Sequence, residues 1–274
     1  MLEYDDMDAR TLDCALELVR RHTGVSMSPA KQSMLQGRLR PRMRALRLAS
    51  YEHYLRRLRE DDSERQPFID AVTTHHTAFF RTPRVWEYLE QVFLPAWVAQ
   101  HPGRALQVWS AAASTGEEAC SLAICCEELR RRHPGFDYRI SATDIATGVL
   151  ERARDGVYAG APVAAFRAAR PDLFARHNAL DAPDRFALAP SVRARIAWAA
   201  HDLFQPSPSI DTFDLVLLRN VLIYFKPDDI MAVVRNVAPA LRTKGIMVIG
   251  EAESLTSLDL PFQFVQPQIY RRTA

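Results

Sequence analysis

Short apolar runs alternate with stretches of helical periodicity through most of the chain after residue 100, and this alternation restricts the fold more than any other feature. The runs cover residues 105–110, 138–143, 195–199, 213–218 and 245–249, and helical patterns cover 117–131, 147–154 and 228–240. Because the runs are mostly apolar rather than alternately polar, they are typical of parallel strands covered on both faces. The pattern predicts an α/β fold with a doubly wound parallel sheet and a terminal hairpin over 262–271.

The first part of the chain has a different pattern, in which apolar residues recur about once per helical turn. This spacing begins with Leu12, Ala15, Leu16 and Val19. It predicts amphipathic helices, so we expect a small all-helical domain over 1–82 and a sheet domain over 83–274. Residues 156–194 are rich in Ala, Pro and Arg and interrupt the strand–helix alternation. We predict that they form a small inserted β-subdomain.

Charge is distributed unevenly, although the net charge is only +2. The segment from Lys31 to Arg47 carries several basic residues and no acidic one. Such a segment predicts either a contact with an acidic partner or an ordinary solvated face. Pro41 lies inside its helical pattern and is expected to kink or split the helix.

Several classes of protein are disfavoured by the sequence. No apolar stretch reaches the ~18 residues that a membrane-spanning helix needs, and the acidic N-terminus lacks the apolar run of a signal peptide. We therefore expect a cytoplasmic protein without direct membrane insertion. The four cysteines show no redox or metal-binding spacing, so we interpret them as reduced, buried residues.

A loop of small residues follows the first predicted strand, in the stretch VWSAAASTGEE over 108–118. Small side chains let a ligand approach the backbone closely, but the stretch is not the G-x-G-x-x-G of dinucleotide-binding proteins. An acidic residue at the start of the next helix would repel a pyrophosphate. Glu117 suits a ligand with a positive amino group, or it merely stabilises the helix N-terminus.

Polar residues follow two other predicted strands, where ligand sites of such sheets lie. Asp144 is placed to accept hydrogen bonds from ribose hydroxyls, or to cap the next helix. Arg219, Asn220 and Tyr224 come after the largely apolar run 213–218. They are candidate site residues or ordinary strand-end residues.

The stretch TTHHTAFFR over 73–81 joins the helical half to the sheet half. Arg81 could hold a carboxylate with two hydrogen bonds, or it could form an ion pair between domains. His75 and His76 are adjacent, so on a helix they point in different directions, and no further residues complete a ligand set. We therefore expect no metal site.

Together these segments resemble the CheR-type chemotaxis receptor methyltransferases. That family typically shows TTN-x-T-x-FFR, WSA-AxSTGEEPYS, ATDI and RNV-x-IYF in this order. Here the matching stretches are TTHHTAFFR (73–81), WSAAASTGEEACS (109–121), ATDI (142–145) and RNVLIYF (219–225). The departures are His75 and Asp202 where the family has Asn, Ala119-Cys120 in place of Pro-Tyr, and GEAES (250–254) in place of GHSE.

The resemblance implies a helical domain on a Rossmann-like domain that binds S-adenosylmethionine (SAM), with an inserted antiparallel β-subdomain. It implies that Glu117 contacts the methionine amino group, Asp144 the ribose, and Asp202 with Leu203 the adenine. The other residues that it places around the cofactor are His75, Thr77, Arg81, Arg219 and Asn220. Arg81 and Tyr224 would orient the carboxylate of the substrate.

The resemblance implies that the protein transfers a methyl group from SAM to glutamate side chains of chemotaxis receptors. It also implies a monomer, which is the usual state in that family. Two alternatives remain open: a SAM-responsive signalling protein without turnover, and a methyltransferase of a chemosensory pathway that does not control motility. A nucleic-acid methyltransferase is disfavoured, because no Asn/Asp-Pro-Pro-aromatic motif and no basic tract with interleaved aromatic residues occurs.

Overall fold

The fold is described here from a computed structural model that covers residues 6–207, 209–256 and 258–273. From residue 6 onward its first part contains four α-helices: α1 Ala9–Thr23, α2 Gln32–Ala45, α3 Tyr51–Glu60 and α4 Arg65–Val72. Their apolar faces enclose a core of their own, with Leu18, Leu35, Tyr54 and Phe68 among its buried members. The predicted all-helical N-terminal part is confirmed.

Helix α2 continues through Pro41 to Ala45. A split at Pro41, one of the two outcomes expected from the sequence, therefore does not occur. Leu39 and Met43 lie on either side of the proline and are both fully buried. Their packing compensates for the backbone hydrogen bond that a proline removes from a helix.

The described residues of the second part form nine strands: β1 Ala105–Ser110, β2 Asp137–Asp144, β3 Tyr158–Ala159, β4 Arg185–Phe186, β5 Ile196–Ala200, β6 Phe213–Leu218, β7 Leu241–Ile249, β8 Phe262–Gln266 and β9 Ile269–Arg272. Seven of them form one sheet in the order β5-β2-β1-β6-β7-β9-β8. The pairs from β5 to β7 are parallel, and β9 is antiparallel to both β7 and β8. This confirms the predicted parallel sheet with a terminal hairpin at one edge.

Helices cover both faces of the sheet, as the apolar strands require. On one face pack α5 Pro83–Tyr88, α6 Leu94–Gln100 and α7 Glu117–Arg132. The other face is covered by α12 Pro227–Val237. Helix α8, Thr147–Asp155, contacts β2 and β5. Among the helices that the structure describes, none has the length and apolarity that crossing a bilayer requires.

The inserted segment 156–194 contains more helix than strand. Its strands β3 and β4 form a separate antiparallel pair, and its helices are α9 Ala161–Ala169, α10 Pro171–His177 and α11 Pro190–Arg193. The insert packs on the ring of Phe79, whose centroid lies 5.1 Å from that of Tyr158 and 5.2 Å from that of Phe186. It therefore supports the segment that leads to Arg81.

Candidate functional site

A cleft opens at the carboxyl ends of β1, β2 and β6, where the helical part meets the sheet. Including its open mouth, it holds about 1240 Å³ of empty space. Nine of the ten predicted site residues line it: His75, Thr77, Arg81, Asp144, Asp202, Leu203, Arg219, Asn220 and Tyr224. Glu117 does not.

The floor of the cleft is the loop between β1 and α7. Gly116 has a positive φ of 98°, and a Cβ added there would lie 2.7 Å from both the Trp198 ring and the Tyr158 hydroxyl. Only glycine fits such a position without displacing its neighbours. The preceding Ser114, also at positive φ, donates its backbone N–H to Asp144 Oδ2 at 2.9 Å. The loop is thereby tied to the end of β2.

The structure places Glu118, and not Glu117, on the cleft wall. Glu117 is buried beside the cleft, where Thr115 Oγ1 donates to it at 2.7 Å and burial raises the pKa of its carboxyl. Neighbouring residues on a helix point about 100° apart, and Glu117 lines an adjoining cavity together with His75, Thr77 and Thr115. Glu118 lines the cleft itself and accepts a hydrogen bond from Ser110 Oγ at 2.8 Å.

Asp144 lies at the end of β2 and does not cap α8, whose N-cap position is Ala146. Its Oδ1 accepts from the backbone N–H of Ala146 and its Oδ2 from that of Ser114, both at 2.9 Å. Burial raises the pKa of this carboxyl despite those bonds. A carboxylate has about four acceptor positions, so Asp144 can still accept from ligand hydroxyls.

His75 and Thr77 belong to the segment 73–81, which also lines the cleft. The Nε2 atom of His75 lies 2.9 Å from Thr73 Oγ1, and burial lowers the pKa of the imidazole. The ring is therefore held in its neutral form at neutral pH. The His75 carbonyl accepts from Ser114 Oγ at 3.2 Å, which links this wall to the floor.

Arg81 sits in a tight turn between two residues with left-handed backbone, Phe80 (φ 51°) and Thr82 (φ 67°). Its carbonyl accepts from Trp86 Nε1 and Arg219 Nη2, each at 2.8 Å. Its guanidinium donates from Nη1 to the His76 carbonyl at 3.1 Å. Across the described residues no carboxylate forms an ion pair with it, so the interdomain ion pair considered from the sequence is not found there.

Arg219 is buried and holds the cleft wall together. Its side chain is 2% exposed and pairs through Nη1 with Glu118 Oε2 at 2.9 Å, while Nη2 reaches the carbonyl of Arg81. The guanidinium also lies 5.9 Å from the centroid of the Trp86 ring. Arg219 thus connects the start of α7 to the turn that carries Arg81.

Glu253 stabilises the loop after β6 through hydrogen bonds, a role that the sequence did not predict. Its carboxylate accepts from the backbone N–H groups of Asn220 (3.1 Å), Ile223 (3.3 Å) and Gly250 (2.5 Å). Asn220 has a φ of 58°, so the clamp also stabilises a strained backbone position. An acidic residue shortly after the last parallel strand, in GEAES, was the only sequence signal for it.

Tyr224 follows on the short 3₁₀ turn Leu222–Tyr224 and lines the cleft. Its carbonyl accepts from the backbone N–H of Ser26 at 2.8 Å, which ties the helical part to the rim. Within the described chain its hydroxyl makes no hydrogen bond. Asp202 also lines the cleft, and its Oδ1 accepts from the N–H of Phe204 at 3.0 Å, beside the buried Leu203.

Comparisons with known proteins agree with this architecture. Residues 75–271 match the family model described as "CheR methyltransferase, SAM binding domain", and residues 11–73 match "CheR methyltransferase, all-alpha domain". The chain is 30% identical over 247 residues to Chemotaxis protein methyltransferase 1 of Pseudomonas aeruginosa, covering 89% of each protein. It is 31% identical over 264 residues to the Chemotaxis protein methyltransferase of Salmonella typhimurium, covering 93% of this chain and 87% of that protein.

Proposed function

This chain belongs to the CheR methyltransferase family and uses SAM as methyl donor, and from this premise we propose that it methylates glutamate side chains of chemoreceptors. SAM supplies a methyl group made electrophilic by a sulfonium. The shape and polarity of the cleft suit it: Asp144 can accept from ribose hydroxyls, Leu203 offers an apolar surface to the adenine, and Glu117 or Glu118, at the start of α7, can accept from the amino group.

The observation that supports a carboxylate acceptor is the state of Arg81. Its guanidinium faces the cleft on a rigid turn and has no carboxylate partner among residues 6–207, 209–256 and 258–273. A planar guanidinium matches a carboxylate through two parallel hydrogen bonds. Tyr224 lines the same cleft with its hydroxyl free to donate a third.

A glutamate side chain is already ionised at neutral pH, since its ordinary pKa is about 4.3. The reaction therefore needs no general base, and we assign none. One carboxylate oxygen forms the new O–CH₃ bond as the C–S bond breaks, which yields a methyl ester and a neutral thioether. Arg81 and Tyr224 hold the carboxylate and aim the attack, and such positioning contributes ~7–11 kcal/mol in favourable cases.

We further propose that the helical domain, 1–82, docks the receptor. Lys31, just before α2, and Met34, on it, line the cleft, so this end of α2 borders the cleft. Arg42 is paired with the buried Glu64 at 2.6 Å. The exposed Lys31, Arg44 and Arg47 would face an acidic helical segment of the receptor, and the association should weaken as salt is added. In this function the protein acts in the cytoplasm, as a monomer.

A methyl-transfer assay tests the proposal. The protein is incubated with SAM labelled in its methyl group and a chemoreceptor cytoplasmic fragment. We expect label on the fragment that mild alkali releases as methanol, as an ester requires, and no label on a fragment whose acceptor glutamates are replaced by alanine. Calorimetric binding of S-adenosylhomocysteine (SAH) without any transfer would instead favour a SAM-responsive protein without turnover. Alkali-stable label would refute the ester.

A further inference from the structure

We propose that Ser121, buried on α7, is a positioning residue that sets the direction of Arg81. The proposal rests on the proposed function in one respect, the role of Arg81 toward a carboxylate. Ser121 is 0% exposed and does not line the cleft. Any effect that it has on the reaction must therefore pass through another residue.

Two hydrogen bonds connect Ser121 to the turn before Arg81. Its Oγ donates to the carbonyl of Glu117 at 2.7 Å and accepts from the backbone N–H of Phe80 at 2.9 Å. The first bond fixes the orientation of the hydroxyl, because its proton points at the Glu117 carbonyl. The lone pairs of Oγ are then presented to Phe80, whose left-handed backbone needs such support.

The backbone of Arg81 is thus held from both sides. Before it, the N–H of Phe80 is bonded to Ser121, and after it, the carbonyl of Arg81 receives Arg219 and Trp86. Of these three anchors Trp86 belongs to α5, whereas Ser121 lies on α7 and Arg219 is paired with Glu118 in the first turn of α7. The same helix carries Glu118 on the cleft wall, so one rigid element sets both the cofactor end and the acceptor end of the site.

Removing the hydroxyl should release the turn without touching either ligand. In Ser121→Ala the N–H of Phe80 loses its buried partner, and such a group is costly to leave unpaired. The turn is then expected to rotate toward an acceptor elsewhere, which displaces Arg81. A misplacement of about 1 Å can cost up to ~100-fold in rate, and we expect a decrease of about tenfold in kcat/KM for the receptor fragment.

Three measurements separate positioning from general destabilisation. The dissociation constant for SAH should change less than about twofold. Cys126→Ala, a change at another fully buried site on α7, should alter thermal stability but not kcat/KM. In an Arg81→Ala background, Ser121→Ala should cost less than about twofold more, because residues that act through one another are not additive.

A crystal structure of Ser121→Ala with SAH completes the test and does not depend on the acceptor. We expect the Arg81 guanidinium to move by about 1 Å or more relative to the unaltered protein. An unmoved guanidinium overturns the proposal, as does a tenfold loss that persists in the Arg81→Ala background. If the unaltered protein fails to methylate the receptor fragment, the proposed function fails, while the crystallographic comparison still decides the role of Ser121.

Discussion

The ion pair between Glu118 and Arg219 allows a quantitative prediction about how the site is held together. The Arg219 side chain is 2% exposed and the Glu118 side chain 12% exposed, with 2.9 Å between Nη1 and Oε2. Glu118→Gln removes the negative charge but keeps the shape and an acceptor oxygen. The guanidinium then stays buried without a counter-charge, a situation that typically costs about 3–5 kcal/mol.

We expect the lower end of that range, about 3 kcal/mol, because the amide oxygen can still accept from Nη1. At ~2–4 °C per kcal/mol for a protein of this size, the melting temperature should fall by about 6–12 °C. The measurement is urea and thermal unfolding of the protein without ligand, so that any role of Glu118 toward SAM does not enter.

Asp229→Asn is the matched control. Asp229 pairs with Arg20 at 3.2 Å, and the two side chains are 21% and 47% exposed. Exposed pairs of this kind contribute at most about 1 kcal/mol, and their contribution is screened by salt. If the two substitutions cost the same, or if 1 M salt abolishes the effect of Glu118→Gln, the argument that Arg219 is desolvated is refuted.

Four further outcomes are expected. Arg81→Lys keeps the charge but loses the planar pair of donors, so kcat should fall roughly tenfold or more in the labelled-methyl assay while SAH binding persists; unchanged turnover would remove Arg81 from the mechanism. Tyr224→Phe removes one donor to a charged carboxylate, worth about 1.5–3 kcal/mol, so kcat/KM should fall about 10- to 100-fold; a loss in SAH affinity instead would assign Tyr224 to the cofactor. Glu253→Gln leaves one acceptor oxygen for three backbone N–H groups and should destabilise the protein by about 1–3 kcal/mol in urea unfolding. Burial lowers the pKa of the His75 imidazole, so protonation of this ring is unfavourable in the folded state. The free energy of unfolding should therefore decrease as the pH falls below about 6.5, the usual pKa of histidine. In His75→Asn this decrease should be smaller.

The arrangement of the sheet could be predicted from the sequence because its physical cause is local. Strands β1 and β6 are largely buried on both faces, so their sequences are mostly apolar without regular alternation, as in a parallel sheet between helices. The edge strand β5 was found from its place in the alternation, although only Ile196 of its residues is buried. The outcome at Pro41 depended instead on tertiary packing around α2, which no local pattern records.

The choice between Glu117 and Glu118 illustrates what the sequence left undetermined at the site. Both are acidic residues in the first turn of α7, and helix-terminus electrostatics favours them equally. Which one faces the cleft depends on the rotation of α7 about its axis, and that rotation is set by the packing of its buried residues against the sheet. Glu253 was missed for a related reason, since two of its three partners, Asn220 and Ile223, lie in a loop 33 and 30 residues earlier in the chain.

The charges of the reaction explain why so much of the site consists of rigid supports. A sulfonium and a carboxylate carry opposite charges that disappear together in the transition state, so a site that binds either charge too strongly slows the reaction. Glu118 is neutralised by Arg219, and Asp144 has its carboxylate oxygens bonded to backbone N–H groups. What remains for the protein to provide is the alignment of the acceptor oxygen with the methyl group. The strained turn around Arg81 and the clamp around Asn220 both restrict orientation, and this is the contribution that a charge-annihilating transfer can use.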